Sequence, residues 1–335
     1  MAIEQRFIPL KSPLDWKEAL RGIKHTFGHT WENCYAMQLT TGLRTYLYSF
    51  EKDDIRFVCP IAEREFGGYV DITKPFGFSG FVGNGSLPEL SVHWREFVGE
   101  RGYICGYLGL NPLFDYSSHF DSRDIFRYNT IYVLDLTMTD AELFAKLSTN
   151  RKRQLKDWDE ISSTLVFQES SLKEFFFENY FDFLRRKNAS PVYFLSVETL
   201  SYLFCLDNVI LVGAKESGHV VAVSVFTYTA DAAEYLFNVS VPKGRQHAAA
   251  LVWYAVRYFK SLGIPIINLG GGSAEFKRRF GSKELPIACL KQVYQPEVYR
   301  MLCRRVEVDA NDMGGYFPAY RKRDIEREAQ EVTPR

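Results

Sequence analysis

The sequence has no excess charge of either sign. Lys and Arg together number 41, matching 41 Asp and Glu. A global basic field for gripping nucleic acid is therefore absent, and any anion site must be local. No C-x-x-C pair occurs. Cys34, Cys59, Cys105, Cys205, Cys289 and Cys303 are scattered, mostly in apolar settings. That pattern fits reduced buried thiols rather than a disulfide framework or a zinc site. The six histidines are equally dispersed, so no metal centre is expected. No apolar run approaches the roughly 18 residues that a bilayer-spanning helix needs. The opening Met-Ala-Ile-Glu-Gln-Arg lacks the apolar core of a signal peptide, so a cytoplasmic location is expected. Sustained heptads and low-complexity linkers are also missing.

What is present is a chain of 335 residues, long enough for two domains of similar size. Hydrophobic residues make up 46% and charged residues 24%, the proportions of a folded protein. Aromatics reach 16%, with 20 Tyr and 27 Phe, which favours aromatic-lined clefts or simply a heavy core.

The second half is the more legible. Val209–Lys215 and Val220–Tyr228 read as a hairpin around Glu216-Ser-Gly-His219, and Glu234–Val239 as a third strand. Gln246–Leu262 carries Leu251, Tyr254, Ala255, Tyr258 and Phe259 at helical spacing. Gly263 and Pro265 stop that helix before a strand at Ile264–Leu269. The first half repeats the order. Arg44–Phe50, Ile55–Ile61 and the run from Gly67 to Asp71 are strands, Pro88–Glu100 is a helix, and Tyr103–Leu108 is a strand. Matching elements lie about 160 residues apart, the mark of an internal duplication. Between the halves, Tyr132–Leu136 reads as a strand and Ala141–Ile161 as one helix. Leu172–Lys187 is an aromatic helix that opens the second half. The expected fold is mixed α/β, with a first domain over 1–163 and a second over 164–335.

Two segments could carry chemistry. A helix starting near Gly244 and Arg245 would offer free N–H groups and the positive end of its dipole to an anion. The more specific segment is Asn268-Leu-Gly-Gly-Gly-Ser-Ala-Glu-Phe-Lys-Arg-Arg-Phe-Gly281, at the C-terminal end of a strand, where open α/β sheets place ligands. Gly270, Gly271 and Gly272 permit close backbone approach, and Ser273 is placed to cap a short helix bearing Phe276, Lys277 and Phe280. A lysine held there can neutralise the oxyanion of a tetrahedral acyl-transfer intermediate. The basic run Arg151-Lys-Arg153 reads either as a phosphate contact or as a solvated helix face.

The run Leu-Gly-Gly-Gly-x-x-x-Phe-Lys-x-x-Phe-Gly resembles the FemAB-like branch of the GNAT acyltransferase superfamily. Further stretches fit in order: Phe27-Gly-His-Thr-Trp-Glu32, Asp71-Ile-Thr-Lys-Pro-Phe-Gly-Phe-Ser-Gly80, Leu108-Gly-Leu-Asn-Pro-Leu113, Val133-Leu-Asp-Leu136 and Leu147–Leu155. The resemblance implies two tandem GNAT-like domains and a transfer site at Phe276 and Lys277. It implies donor contacts at Gly244, Arg245 and Gly270–Gly272, and acceptor contacts at Asp71, Phe76, Gly77, Phe78 and Arg151. The implied co-substrate is an acyl-CoA or an aminoacyl-tRNA, with no tightly bound cofactor. The implied acceptor is the amine of a sugar or peptide used in the cell envelope, such as a peptidoglycan precursor. Two departures stand out. Ala248 replaces a glycine of the GNAT pyrophosphate pattern, and Phe76 and Phe78 replace two tyrosines. The alternatives are an acetyl-CoA-dependent N-acetyltransferase of polysaccharide biosynthesis and a non-catalytic binding protein that keeps the fold.

Overall fold

The computed structural model describes residues 3–114 and 118–322. The first half of the chain runs β1 (Ile3–Pro9), α1 (Pro13–Leu20), α2 (Trp31–Thr41), β2 (Thr45–Lys52), β3 (Ile55–Phe66), β4 (Tyr69–Thr73), the two-residue β5 (Val82–Gly83), α3 (Leu90–Glu100) and β6 (Cys105–Leu110). Then come β7 (Ile125–Asp135), α4 (Asp140–Lys146), α5 (Thr149–Gln154), α6 (Trp158–Ser163), β8 (Leu165–Phe167), α7 (Ser170–Arg186) and α8 (Val197–Leu203). The remainder is β9 (Val209–Glu216), β10 (His219–Tyr228), β11 (Ala233–Ser240), α9 (Ala248–Ser261), β12 (Ile266–Asn268), α10 (Ala274–Arg278), β13 (Lys283–Val293) and α11 (Pro296–Arg305).

The fold is mixed α/β, with mostly antiparallel sheets flanked by helices, and it groups into two compact units. One holds the described residues up to Asn129 and from Pro286 onward; the other holds Thr130–Leu285. In the first unit the strand order is β1-β2-β3-β4-β6-β13, antiparallel except for β4 beside β6. In the second it is β8-β9-β10-β11-β12-β7, antiparallel except for β11 beside β12. The same order of strands, with the parallel pair in the same place, is the duplication that the sequence offsets anticipate.

The grouping differs from a division at 163/164. β7 follows β6 in the chain, yet its Val133–Asp135 pair with β12. β13 follows β12, yet its Ala288–Val293 pair with β6. Each half thus supplies the closing strand of the other half's sheet. The helix expected over 141–161 is three short helices instead. Thr139 caps α4 in a reciprocal capping box with Glu142, and Ser148 accepts from Arg151 N–H to start α5. Extended backbone at Leu147 separates the two.

In the second unit, α9 lays Leu251, Val252, Ala255, Val256 and Phe259 on a sheet face carrying Phe226 and Ile267. α7 covers the opposite face. Leu172 approaches so closely that a β-carbon on Gly213 would lie 2.2 Å from its Cδ2, so the sheet is glycine there. In the first unit, Trp94 and Phe97 of α3 pack against Tyr48 and Phe81.

Candidate active site

The parallel pairing of β11 with β12 extends over only two positions, Ala233 with Ile267 and Glu234 with Asn268. The side chains of a strand alternate between faces. Ile267 enters the core under α9, so Asn268 and Glu234 face the other way, in register with Thr227 on β10. These three polar residues are buried in one row. β12 then ends and the chain turns at Gly270, whose φ of +76° is a conformation that favours glycine. The turn is fixed by Gly270 N–H donating to Asn268 Oδ1 at 2.8 Å and by Tyr132 N–H donating to Gly270 O at 3.3 Å.

That turn delivers Lys277. A β-carbon on Gly270 would sit 3.4 Å from its Nζ. Lys277 is only 6% exposed, and among the described residues no carboxylate pairs with its ammonium. Burial alone holds its pKa down to about 8. Gly271 is half-buried; Gly272 is exposed, with open space where a β-carbon would go. Ser273 adopts φ +53° and makes no side-chain cap bond, contrary to the expected capping role.

Phe276 and Phe280 meet edge to face at 5.4 Å. The guanidinium of Arg151 lies 4.7 and 4.4 Å from their centroids, close enough for cation–π attraction. Its Nη2 donates to Phe276 O at 3.3 Å and its Nη1 to Gln154 Oε1 at 2.7 Å, while the buried Nε has no partner. Ser148 N–H donates to Arg279 O at 2.9 Å. Arg151 is 3% exposed, and burial, helped by the Arg279 charge, lowers its pKa to about 10. It is not part of a solvated helix face. The start of α5 therefore clamps the turn that carries Phe276 and Lys277.

The beginning of α9 is built differently. A 3-10 turn over Pro242–His247 leads directly into the helix, with Ala248 N–H donating to Arg245 O and Gly244 N–H to Val241 O. The N–H groups that an anion would need are thus committed. Gly244 is glycine for packing, because a β-carbon would fall 2.0 Å from Val221 O. Arg245 is exposed. Beside it, Glu216 Oε1 accepts from His247 Nε2 at 2.8 Å and Gln246 Nε2 at 2.6 Å, placing an acid at the helix start.

In the first unit, Asp71 is fully buried and surrounded by donors. Arg64 donates from Nε at 2.8 Å, Tyr320 OH at 2.8 Å and Arg321 Nε at 2.7 Å, and Arg64 Nη2 forms an ion pair at 2.7 Å. The Phe76-Gly77-Phe78 loop is held through its backbone. Asn33 Nδ2 donates to Phe76 O at 3.0 Å, Lys74 Nζ to Gly77 O at 3.0 Å and Asn111 Nδ2 to Phe78 O at 3.1 Å; Thr26 Oγ1 also donates to Phe78 O. Both Phe rings are half-buried. His29 anchors the same region as a buried neutral imidazole, its pKa pushed down to about 3 chiefly by desolvation. The motifs around residues 27–32, 71–80 and 111 therefore form one packed assembly. Gly270, Phe276, Lys277 and Arg151 come together within the second unit, whereas Asp71 and the 76–78 loop belong to the first.

The sheet order, with its one parallel pair in each unit, is a fold shared with solved structures at low sequence identity. Among solved structures, the crystal structure of FemX has a TM-score of 0.63 at 10% identity, covering 89% of this chain and 99% of that one. The C-terminal domain of a proposed lysylphosphatidylglycerol synthetase from Agrobacterium fabrum has a TM-score of 0.56 at 15% identity, covering 84% of this chain and 91% of that one. A conserved protein of unknown function from Bacteroides thetaiotaomicron has a TM-score of 0.56 at 11% identity, covering 87% and 100%. No family model and no curated protein sequence matches the chain. Among the described residues, no helix is long and apolar enough to cross a membrane.

Proposed function

We propose that the chain is an acyltransferase that moves an acyl or aminoacyl group from an activated donor to an amine, on an amino sugar or peptide precursor of the cell envelope. The observation that carries this reading is Lys277: a buried lysine with no acid partner among the described residues, held on a glycine turn where two parallel strands part. Burying an unpaired ammonium costs several kcal/mol. A developing oxyanion would supply the missing negative charge. The attacking amine nitrogen bonds to the donor carbonyl carbon, and the carbonyl oxygen becomes negative beside Nζ. The donor's ester or thioester bond then breaks, and the proton lost by the amine ends on the leaving oxygen or sulfur. Arg151 acts here by fixing the Phe276–Lys277 turn, and Phe276 walls the site.

The start of α9 favours an aminoacyl ester over a coenzyme A thioester. Its N–H groups are used internally and Glu216 adds negative charge, so a pyrophosphate would meet repulsion. A thermal-shift screen with acyl-CoA, aminoacyl-tRNA and nucleotide-linked amino sugars tests the donor and acceptor, since a ligand of the native state raises the melting point. Lys277→Ala is expected to cut turnover by at least about a hundredfold, on the order of one lost oxyanion contact. A rate near wild type would exclude this role.

A further inference from the structure

The sequence pattern gives Asn268 no role of its own, but its surroundings in the fold give it a distinct chemical one. It is completely buried at the last position of β12, where the pairing with β11 stops. Its amide is not free to rotate: Oδ1 accepts from Gly270 N–H at 2.8 Å, which fixes where Nδ2 points. Nδ2 is buried and has no hydrogen-bond partner among the described residues. A buried unsatisfied amide donor is uncommon in folded proteins and costs free energy that apolar residues at the same place would not. Its register neighbours Glu234 and Val133 leave the donor unfilled. The residue that Asn268 fixes, Gly270, is also the residue against which Lys277 Nζ rests. Asn268 and Lys277 thus both meet one glycine turn, the first through its amide oxygen and the second through its ammonium.

We infer that Asn268 is a second catalytic donor, its Nδ2 hydrogen-bonding the carbonyl oxygen of the donor's acyl group alongside Lys277. This rests on the acyl-transfer reading above. As the amine nitrogen forms its bond to the carbonyl carbon, the π pair moves to the oxygen. Nδ2–H and Nζ–H then hold that oxygen until the bond to the leaving group breaks and the C=O re-forms. Neither donor gives up its proton. An amide suits this role because it donates at every pH of interest, and the Gly270 bond sets its direction before substrate arrives.

The test compares Asn268→Asp with Lys277→Ala. The aspartate keeps an oxygen for Gly270 N–H but removes the donor. The assay is hydroxamate formation from alanyl-tRNA or acetyl-CoA with hydroxylamine as acceptor. We expect Asn268→Asp to lower kcat by about 10²- to 10³-fold with KM changed less than about threefold, in line with loss of one oxyanion donor. A combined variant should lose far less than the product of the two single effects. If Lys277→Ala is inactive and Asn268→Asp folds and keeps wild-type kcat, this inference is refuted and the acyl-transfer reading stands. If the wild-type protein is inactive with both donors, or Lys277→Ala is fully active, the underlying reading fails first.

A measurement on the wild-type protein covers the case in which Asn268→Asp does not fold. With 15N-asparagine labelling, the Asn268 side-chain amide resonance should shift downfield on saturation with 3′-alanylamido-adenosine or acetyl-CoA. Binding that moves other resonances but leaves this one in place overturns the proposal.

Discussion

Replacing Lys277 by methionine should make the protein more stable while removing the charge on which the proposed reaction depends. The unfolded chain holds this ammonium in water with the usual pKa of 10.5; the folded chain holds it at about 8. Each pKa unit is about 1.4 kcal/mol, so the difference corresponds to roughly 3 kcal/mol of folding free energy. Its sign follows from proton counting. Below about pH 8 both states carry the proton and the fold bears the whole penalty. Between about 8 and 10.5 the unfolded state binds more protons than the folded one, so stability climbs with pH. Above 10.5 neither state is charged and the penalty vanishes. Methionine matches the length of the lysine stem and needs no hydration. Urea unfolding of wild type and Lys277→Met, followed by tryptophan fluorescence, should separate the midpoints by about 1 M at about pH 6.5, for a slope of roughly 3 kcal/mol/M. The gap should shrink through about pH 9 and close near pH 10.5. A variant that is no more stable at low pH, or one whose advantage persists unchanged at high pH, would refute the claim that an unpaired buried charge resides there.

Two further outcomes follow from neighbouring features. Gly244→Ala forces a methyl against Val221 O, only 2.0 Å from where the new β-carbon would lie, and should cost about 1–3 kcal/mol as overpacking. Its melting temperature should fall, whereas donor affinity measured on the folded protein by calorimetry should stay within about twofold. A donor bound roughly tenfold more weakly would instead show that this glycine meets the ligand. His29, neutral when folded down to about pH 3, makes the fold acid-sensitive: stability should drop as pH falls from 6.5, by up to roughly 4 kcal/mol near pH 3. His29→Gln should flatten that slope between about pH 6.5 and 4, and an unaltered slope by thermal melting would count against it.

The order of elements can be read from the sequence because each carries its own local signal. Val209–Lys215 is a short β-rich run, Gly263 and Pro265 stop a helix, and both survive in the fold with shifts of a residue or two. The exchange of β7 and β13 cannot be read. Which strand lies beside which depends on pairings between distant residues, such as Asn268 with Val133, and no local pattern encodes them. The division of the 141–161 segment has a different cause, and a local one: Thr139 and Ser148 are strong N-cap residues, and each starts a helix of its own. At the candidate site, the glycine run and the Phe-Lys pair lie on one turn, and the fold brings Arg151 against it. Thr227, Glu234 and Asn268 leave a fainter trace. Each is a polar residue within an otherwise apolar strand, and the three fall into register only once the pairing is known.

Two buried charges show how differently one chain treats ionic groups. Asp71 is buried completely, but two arginines and a tyrosine surround it, so its desolvation is offset within the fold. Its three hydrogen bonds tie Arg64, Tyr320 and Arg321 to β4. Lys277 is buried almost as deeply, and among the described residues it has no carboxylate partner, while the Asn268 amide N–H and Arg151 Nε have no hydrogen-bond partner. A fold selected only for stability would replace these groups with apolar ones, because a buried polar atom without a partner is a net loss. Lys277 and Asn268 both meet the Gly270 turn, and a substrate oxygen placed there would give their donors an acceptor. In the proposed acyl transfer, a carbonyl oxygen acquiring negative charge is the acceptor whose demand rises, so donors left idle in the resting protein would become favourable at the transition state.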